Sequence, residues 1–177
     1  MKLLIADRDG VINYDSDQYI KSPDEWEPIH SSLEAIALLT RSGYRVVVTT
    51  NQAGIDRGLF TVETLNAIHD KMHKAIRKAG GCIDAVFYCP HSPEAGCDCR
   101  KPKPGMLKKI SAAYNTPLRG IPVVGDSIHD LQAATSVGAQ PILVLTGYGK
   151  LTYQNGELPP GTKVFPDLLA VATHLSS

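Results

Sequence analysis

Short apolar segments alternate along this chain with segments of helical periodicity, and this alternation limits the folds that the chain can adopt. Strands are predicted at residues 2–6, 44–49, 83–88, 121–124 and 141–145, with a further short strand near Val164. These strands are mainly continuous apolar runs, so both of their faces must be covered. We therefore predict an α/β fold, in which a Rossmann-like parallel sheet carries helices on both faces.

The predicted helices lie between these strands. Ser31 and Glu34 have the spacing of a capping box, which predicts that the first helix begins at Ser31. Thr61 is the predicted N-cap of the second helix, and the apolar residues of that helix fall on one face at Leu65, Ile68, Met72 and Ile76. Further helices are predicted at 106–114, at 128–137 and from about residue 167. The Gly- and Pro-rich segment before Val164 carries no predicted helix.

Length and charge limit the classes of function. The 177 residues suffice for one domain but not comfortably for two, so we treat 1–177 as a single domain. Eighteen basic residues balance eighteen acidic ones, which disfavours a nucleic-acid or membrane-surface protein. The apolar run at the start is too short for a signal peptide or a membrane span. We expect a cytoplasmic monomer with neither nucleic acid nor membrane as a partner.

Polar residues follow each of the first four predicted strands. Ligands of open parallel sheets bind beyond the carboxyl ends of the strands, so these residues are expected to meet at one edge. In chain order they are Asp7 with Asp9, then Thr50 with Asn51 and Gln52, then Arg100 with Lys101, and finally Asp126.

The polar residues after these four strands are the types that a phosphate-transfer reaction needs. One carboxylate of the Asp7–Asp9 pair can attack while the other transfers protons. Lys101 can neutralise a phosphoryl group, and Asp126 can complete a magnesium site with the acidic pair. Each feature alone also fits a structural role. The Asp7–Asp9 pair could form a turn, and residues 49–52 could be a Thr/Asn turn after a strand. Residues 100–104 could be a solvated basic loop, and Asp126 could be a helix N-cap. The order of all four at successive strand ends favours the chemistry.

This order of motifs resembles that of the haloacid-dehalogenase-like (HAD-like) phosphatases. The resemblance implies that Asp7 is the nucleophile, that Asp9 is the general acid and base, and that a phosphoenzyme forms on Asp7. It implies that Thr50 and Lys101 steady the phosphoryl group. It also implies a catalytic Mg²⁺, bound by the side chains of Asp7 and Asp126 and by the backbone carbonyl of Asp9.

A second metal site is predicted in the loop at about 89–99. Cys89, His91, Cys97 and Cys99 supply three thiolates and one imidazole, which is a complete tetrahedral set for a structural Zn²⁺. The alternative is incidental reduced thiols. The segments between the motifs have no room for the large cap domain of many HAD-like enzymes, and we expect the zinc loop to take its place.

The zinc loop also indicates which branch of the HAD-like phosphatases this chain resembles. A Cys-x-His…Cys-x-Cys loop directly before Arg-Lys-Pro resembles one branch, which contains heptose 1,7-bisphosphate phosphatases and histidinol-phosphate phosphatases. Residues 50–58 and 103–106 are more similar to the heptose enzymes. That implies a small phosphorylated sugar substrate, loss of its 7-phosphate, and a step in making lipopolysaccharide core heptose. The residues predicted to bind the substrate are Asp15, Asn51, Gln52, Arg57 and Arg100.

Three alternatives remain open at this stage. Histidinol phosphate is the alternative substrate within the same branch. A receiver-like signalling domain also combines clustered Asp, Thr and Lys on a parallel sheet, but its phosphorylated Asp follows the third strand and it needs no zinc loop. A zinc-built interaction module without catalysis would leave Asp7, Asp9, Lys101 and Asp126 unexplained.

Overall fold

A computed structural model describes all 177 residues and confirms the predicted parallel sheet. Six strands pair in the order β3-β2-β1-β4-β5-β6, and every pairing is parallel. The strands are β1 (Leu3–Ala6), β2 (Arg45–Asn51), β3 (Ile83–Cys89), β4 (Pro122–Gly125), β5 (Gln140–Val144) and β6 (Lys163–Phe165). The order reverses between β1 and β4, so a crevice is expected where these two strands end.

Six α-helices flank the sheet and bury both of its faces. They are α1 (His30–Arg41), α2 (Val62–Lys78), α3 (Gly105–Tyr114), α4 (Ile128–Ser136), α5 (Gly149–Asn155) and α6 (Leu168–Ser176). Leu4 and Val46 pack in one core with α1, α2 and α6, whereas their strand neighbours Leu3 and Val47 pack in another with α3 and α4. Successive strand residues thus point into the two cores on opposite faces of the sheet, as the predicted two-sided burial requires.

The second helix matches its prediction closely. The Thr61 side chain accepts a hydrogen bond from the backbone N–H of Thr64 at 3.1 Å, and the predicted apolar face is buried.

The predicted capping box at the first helix is wrong. Helix α1 begins at His30, and its N-cap, Ile29, makes no side-chain cap hydrogen bond. Ser31 therefore lies inside the first turn. The next residue, Ser32, is buried and donates its hydroxyl to the carbonyl of Val11 at 2.5 Å, which ties the helix start to the loop after β1. Tertiary contact has replaced the local cap that the Ser–Glu spacing suggested.

The segment between β5 and β6 also differs from its prediction, because it contains helix α5. No segment between the strands is large enough to be a cap domain, in agreement with the sequence. Residues 7–29 form a flap that contains only a short 3-10 turn at Pro23–Glu25. None of the helices combines the length and the apolar character that are needed to span a bilayer.

Candidate active site

A cleft of about 230 Å³ opens at the carboxyl edge of the sheet, above the ends of β1, β2 and β4. Three hydrophobic residues and twelve others line it, which gives it a strongly polar interior. They are Asp7, Asp9, Asp15, Ser16, Tyr19, Ile20, Thr50, Asn51, Gln52, Lys101, Asp126, Ser127, His129, Asp130 and Tyr148.

Asp7 lies at the base of this cleft, directly after β1. Its backbone N–H extends the strand pairing to the Val124 carbonyl at 3.0 Å, which fixes the start of the loop. Its Oδ1 accepts from the Arg8 N–H at 2.9 Å and lies 3.1 Å from the Lys101 ammonium. Burial, and then the nearby Asp130, raise the pKa of Asp7 well above its usual range, and Lys101 opposes this shift. A second cation beside Asp7 would favour its ionised form.

Lys101 is buried among the carboxylates. Its Nζ donates to Asp130 Oδ1 at 2.8 Å and to the Thr49 carbonyl at 2.8 Å, in addition to the contact with Asp7. Burial alone would lower the pKa of Lys101, but Asp130 and Asp7 outweigh it and raise the pKa. Asn51 accepts from the Lys101 backbone N–H at 3.1 Å, so the end of β2 holds this ammonium in place.

Asp9 lies in a different environment from Asp7. Its Oδ1 accepts from Arg8 Nε at 2.7 Å and from Asn13 Nδ2 at 3.0 Å, whereas its Oδ2 has a single long contact of 3.4 Å to Gln52. Burial raises the pKa of Asp9, but the charge and hydrogen bond of Arg8, with those of Asn13 and Gln52, lower it overall. Oδ2 is the oxygen that remains available for proton transfer.

Asp126 completes an acidic cluster with Asp7 and Asp130, in which one carboxylate oxygen from each residue lies within 4.8 Å of the other two. Burial, and then Asp130, raise the pKa of Asp126 to about 7. Gly10 is required beside it, because its φ is +84° and a Cβ there would overlap the Asp126 carboxylate. Asp126 is not the N-cap of α4. That position belongs to Ser127, which forms a capping box with Asp130.

The oxygens without protein partners show which groups suit a cation. Asp126 Oδ2 accepts from the Tyr148 N–H at 2.9 Å, and both oxygens of Asp130 are engaged, by Lys101 and by Ser127. Asp7 Oδ2, Asp126 Oδ1 and the Asp9 carbonyl accept no protein hydrogen bond. Three oxygen ligands of this kind fit Mg²⁺, which prefers a few carboxylates and keeps several waters. Asp130 instead orients Lys101.

The four predicted zinc ligands converge on one point. Cys97 Sγ lies 3.5 Å from Cys89 Sγ and 3.7 Å from Cys99 Sγ, and His91 Nδ1 lies 3.6 Å and 3.4 Å from the same two sulfurs. Zinc–sulfur bonds of about 2.3 Å would separate tetrahedral ligand atoms by about 3.5–3.8 Å. The Cys89 and Cys99 sulfurs are also in direct contact, as in a disulfide. A disulfide would not require the other two ligands, whereas zinc employs all four.

The zinc loop is joined to the edge of the cleft. The backbone N–H of Gln52 donates to the Cys89 carbonyl at 2.7 Å, and Asp56 accepts from the backbone N–H of Ser92 at 2.9 Å. The loop therefore packs on the segment that follows β2. Its last ligand, Cys99, precedes Lys101 by two residues, so the shape of the loop determines how Lys101 enters the cleft.

The residues predicted to bind substrate are not all brought together. Asp15, Asn51 and Gln52 line the cleft. Arg100 lines a neighbouring depression, where its guanidinium donates to the His91 carbonyl at 3.3 Å. Arg57 lies outside both and is 4.0 Å from Glu94. Burial, and then Asp9, raise the pKa of Asp15 to about 6.

Several residues that line the cleft were not predicted. Tyr148 reaches it because the backbone before α5 packs against Asp126, and the sequence carried no periodic signal for that helix. Tyr148 also donates its hydroxyl to Asp17 of the flap at 2.5 Å. His129 lines both the cleft and the Arg100 depression. Its position three residues after Asp126 could have revealed it.

Family models match most of the chain. A model described as polynucleotide kinase 3 phosphatase matches residues 2–132, and one described as HAD-hydrolase-like matches residues 98–171. Three relatives carry the name D-glycero-beta-D-manno-heptose-1,7-bisphosphate 7-phosphatase. The protein of Bordetella bronchiseptica is 57% identical and that of Pseudomonas putida 53%, each covering 99% of this chain, and 98% and 99% of the relative. The protein of Neisseria meningitidis is 51% identical, over 99% of this chain and 95% of the relative.

Solved structures match over the same length. The crystal structure of D,D-heptose 1,7-bisphosphate phosphatase from B. bronchiseptica, complexed with magnesium and phosphate, has a TM-score of 0.97 at 56% identity and covers 99% of this chain and 98% of its own. The enzyme of the same name from Burkholderia thailandensis has a TM-score of 0.81 at 49% identity, with coverage of 100% and 99%.

Protein purified without chelator is expected to contain one zinc ion per chain. Cys97→Ser should lower the zinc content and loosen the loop, because three ligands hold zinc less tightly than four. The matched control is Cys82→Ser, since Cys82 is exposed and outside the cluster. Elemental analysis provides the measurement, and circular dichroism checks that the sheet is retained. Active protein with almost no zinc would contradict the prediction.

Magnesium is expected to stabilise the protein more at pH 8 than at pH 5. The folded-state pKa of Asp126 is about 7, above its unfolded value of 3.8, so its stabilising contribution in metal-free protein is complete below pH 3.8 and is lost as the pH rises towards 7. Protons and Mg²⁺ compete for the same carboxylates, so metal binding gains as the protons leave.

The measurement is the shift in Tm on adding Mg²⁺ at the two pH values. Asp126→Asn is the comparison variant, because it removes both the titrating group and a ligand, and it should lose most of the shift at pH 8. An equal Mg²⁺ shift at pH 5 and pH 8 in the unmodified protein would rule out this coupling.

Proposed function

Since this chain belongs to the haloacid-dehalogenase-like phosphatases, we propose that it hydrolyses the 7-phosphate of D-glycero-beta-D-manno-heptose 1,7-bisphosphate and releases the 1-phosphate. The observation that carries the reaction is the placement of Asp7 3.1 Å from Lys101, in one cleft with Asp9 and Asp126. The choice of substrate is supported by relatives of that name, which are 51–57% identical along the whole chain.

We extend the proposal to the setting of the reaction. The product supplies heptose for the lipopolysaccharide inner core, and the enzyme works in the cytoplasm as a monomer. The cysteine-rich zinc cluster supports the cytoplasmic assignment, because Cys89, Cys97 and Cys99 stay available as thiolate ligands in a reducing compartment.

In the proposed first step, an oxygen of Asp7 attacks the phosphorus atom of the 7-phosphate. A P–O bond forms on Asp7 as the bond to the sugar oxygen breaks, and Lys101 and Thr50 hold the phosphoryl oxygens during the transfer. The departing sugar oxygen takes a proton from Asp9. Arg8 keeps Asp9 ionised in the free protein, so Asp9 takes up this proton from solvent water when the negative charge of the phosphate enters beside it.

In the second step, Asp9 accepts a proton from a water molecule that attacks the phosphorus. The bond between phosphorus and Asp7 breaks, which frees inorganic phosphate and restores the Asp7 carboxylate. Magnesium bound by Asp7, Asp126 and the Asp9 carbonyl supplies the positive charge that reduces repulsion between the nucleophile and the phosphate. One carboxylate thus serves as acid and then as base.

The other end of the substrate is assigned to the polar groups at the rim of the cleft. Asp15, Asn51 and Gln52 line the cleft itself, and Arg100 lies in the adjoining depression beside Lys103. A guanidinium binds phosphate oxygens in pairs, so Arg100 is our candidate for the retained 1-phosphate. Arg57 is included because residues 50–58 resemble those of the heptose enzymes, and its guanidinium lies 4.0 Å from Glu94 of the zinc loop.

Phosphate release across a panel of esters tests this function. The panel contains heptose 1,7-bisphosphate, histidinol phosphate, a 3′-phosphorylated oligonucleotide and p-nitrophenyl phosphate, each with Mg²⁺. The bisphosphate should have the highest kcat/KM. Preference for histidinol phosphate or for the oligonucleotide would overturn the assigned substrate but not the reaction.

Asp7→Asn should abolish turnover on every member of the panel, because an amide cannot form the phosphoenzyme. The matched control is Asp24→Asn, since Asp24 is an exposed acidic residue of the flap that does not line the cleft. Trapping the phosphoenzyme in the unmodified protein and mapping the modified residue gives a direct check. Turnover that persists in Asp7→Asn would exclude Asp7 as the nucleophile.

Arg100→Ala should lower kcat/KM for the bisphosphate by about 10- to 150-fold, the equivalent of about 1.5–3 kcal/mol for one charge-assisted contact. On p-nitrophenyl phosphate, which has no second phosphate, the loss should be much smaller. Arg119→Ala is the control, since Arg119 is exposed and lines neither depression. Equal losses on both esters would show that Arg100 supports the fold or the chemistry instead.

A further inference from the structure

Arg8 lies between the two aspartates of the first motif, and its side chain is completely buried. A charged side chain on a loop is usually solvated, so full burial needs strong partners. One partner is Asp9, whose Oδ1 accepts from Arg8 Nε at 2.7 Å. Arg8 is therefore directed inward, beneath the general acid and base of the proposed reaction.

The second partner is His69 of α2, which lies 61 residues further along the chain. Arg8 Nη1 and His69 Nε2 are 3.1 Å apart. A guanidinium can only donate, so His69 Nε2 accepts and its proton resides on Nδ1. Burial, and then the charge of Arg8, lower the pKa of His69 to about 3, which keeps the ring neutral and the acceptor available.

These two contacts account for the position of Arg8. Its remaining group, Nη2, is buried and has no hydrogen-bond partner. Without His69, Nη1 would also lose its acceptor, and the guanidinium would move towards whatever acceptor or water it could reach. Asp9 would then be its only strong attachment, and the two side chains would shift together.

We propose that His69 is a positioning residue which, through Arg8, sets the orientation of the Asp9 carboxylate for proton transfer to the leaving oxygen. The inference rests on the role that the proposed function assigns to Asp9. The carboxylate torsion of Asp is broad, so neighbouring contacts determine its angle. Arg8 and Asn13 occupy Oδ1 and leave Oδ2 for the substrate. An incorrect angle weakens proton transfer even when both residues remain in place.

The test compares two esters that differ in their need for a proton. A sugar alkoxide leaves poorly without protonation, whereas p-nitrophenolate leaves without it, and kcat/KM reports this first transfer in both cases. His69→Leu should lower kcat/KM at least about tenfold on heptose bisphosphate and less than about threefold on p-nitrophenyl phosphate. His69→Gln, which returns an acceptor near Nε2, should stay within about threefold of the unmodified protein on both esters.

The matched control is His73→Leu on the same helix, since His73 makes no hydrogen bond to Arg8. Unfolding midpoints are measured for every variant. If His69→Leu does not fold, His69→Asn replaces it, because its shorter amide remains polar but cannot extend to Arg8. Equal losses on the two esters, no loss, or failure of His69→Gln to restore the rate would overturn the inference. If the unmodified protein does not cleave the bisphosphate, the proposed substrate fails, and the comparison uses the alkyl phosphate that it cleaves best.

Discussion

The buried ammonium of Lys101 is the interaction on which the cleft depends. Asp7, Asp126 and Asp130 bring three carboxylates within 4.8 Å of one another, a concentration of negative charge that burial makes costly. Lys101 contacts two of them, at 3.1 Å and 2.8 Å, and offsets part of that cost. The negative charge that Lys101 does not neutralise contributes to the raised pKa of Asp7 and Asp126. A bound magnesium ion supplies the positive charge that is still missing.

The position of Lys101 is itself set from two sides. Asn51, at the end of β2, binds its backbone, and the zinc ligands end two residues before it. By giving a Pro- and Gly-rich segment a defined shape, the zinc loop places the Lys101 ammonium, which neutralises part of the charge of the acidic cluster. A structural metal and a catalytic charge are linked through a few residues of backbone.

Asp7 and Asp9 are two residues apart, and yet their pKa values are shifted in opposite directions. Asp7 faces other carboxylates and its pKa rises, whereas Arg8 lies against Asp9 and lowers its pKa. The residue between them makes this difference possible, because Arg8 turns away from Asp7 and into the protein towards His69. Different environments give two identical side chains different chemistry, with Asp7 paired to cations and Asp9 left with one oxygen for protons.

The sequence by itself determined the layered sheet, the four motifs at its carboxyl edge and the set of zinc ligands. These depend on periodicity and on residue chemistry at strand ends, both of which are local. Tertiary structure alone decided the rest. Helix α1 begins before Ser31 because Ser32 bonds to Val11 across the fold, and α5 forms where no periodic pattern predicted a helix. The Arg8–His69 contact joins residues 61 positions apart, and such pairings have no local signature, since only packing brings the two groups together.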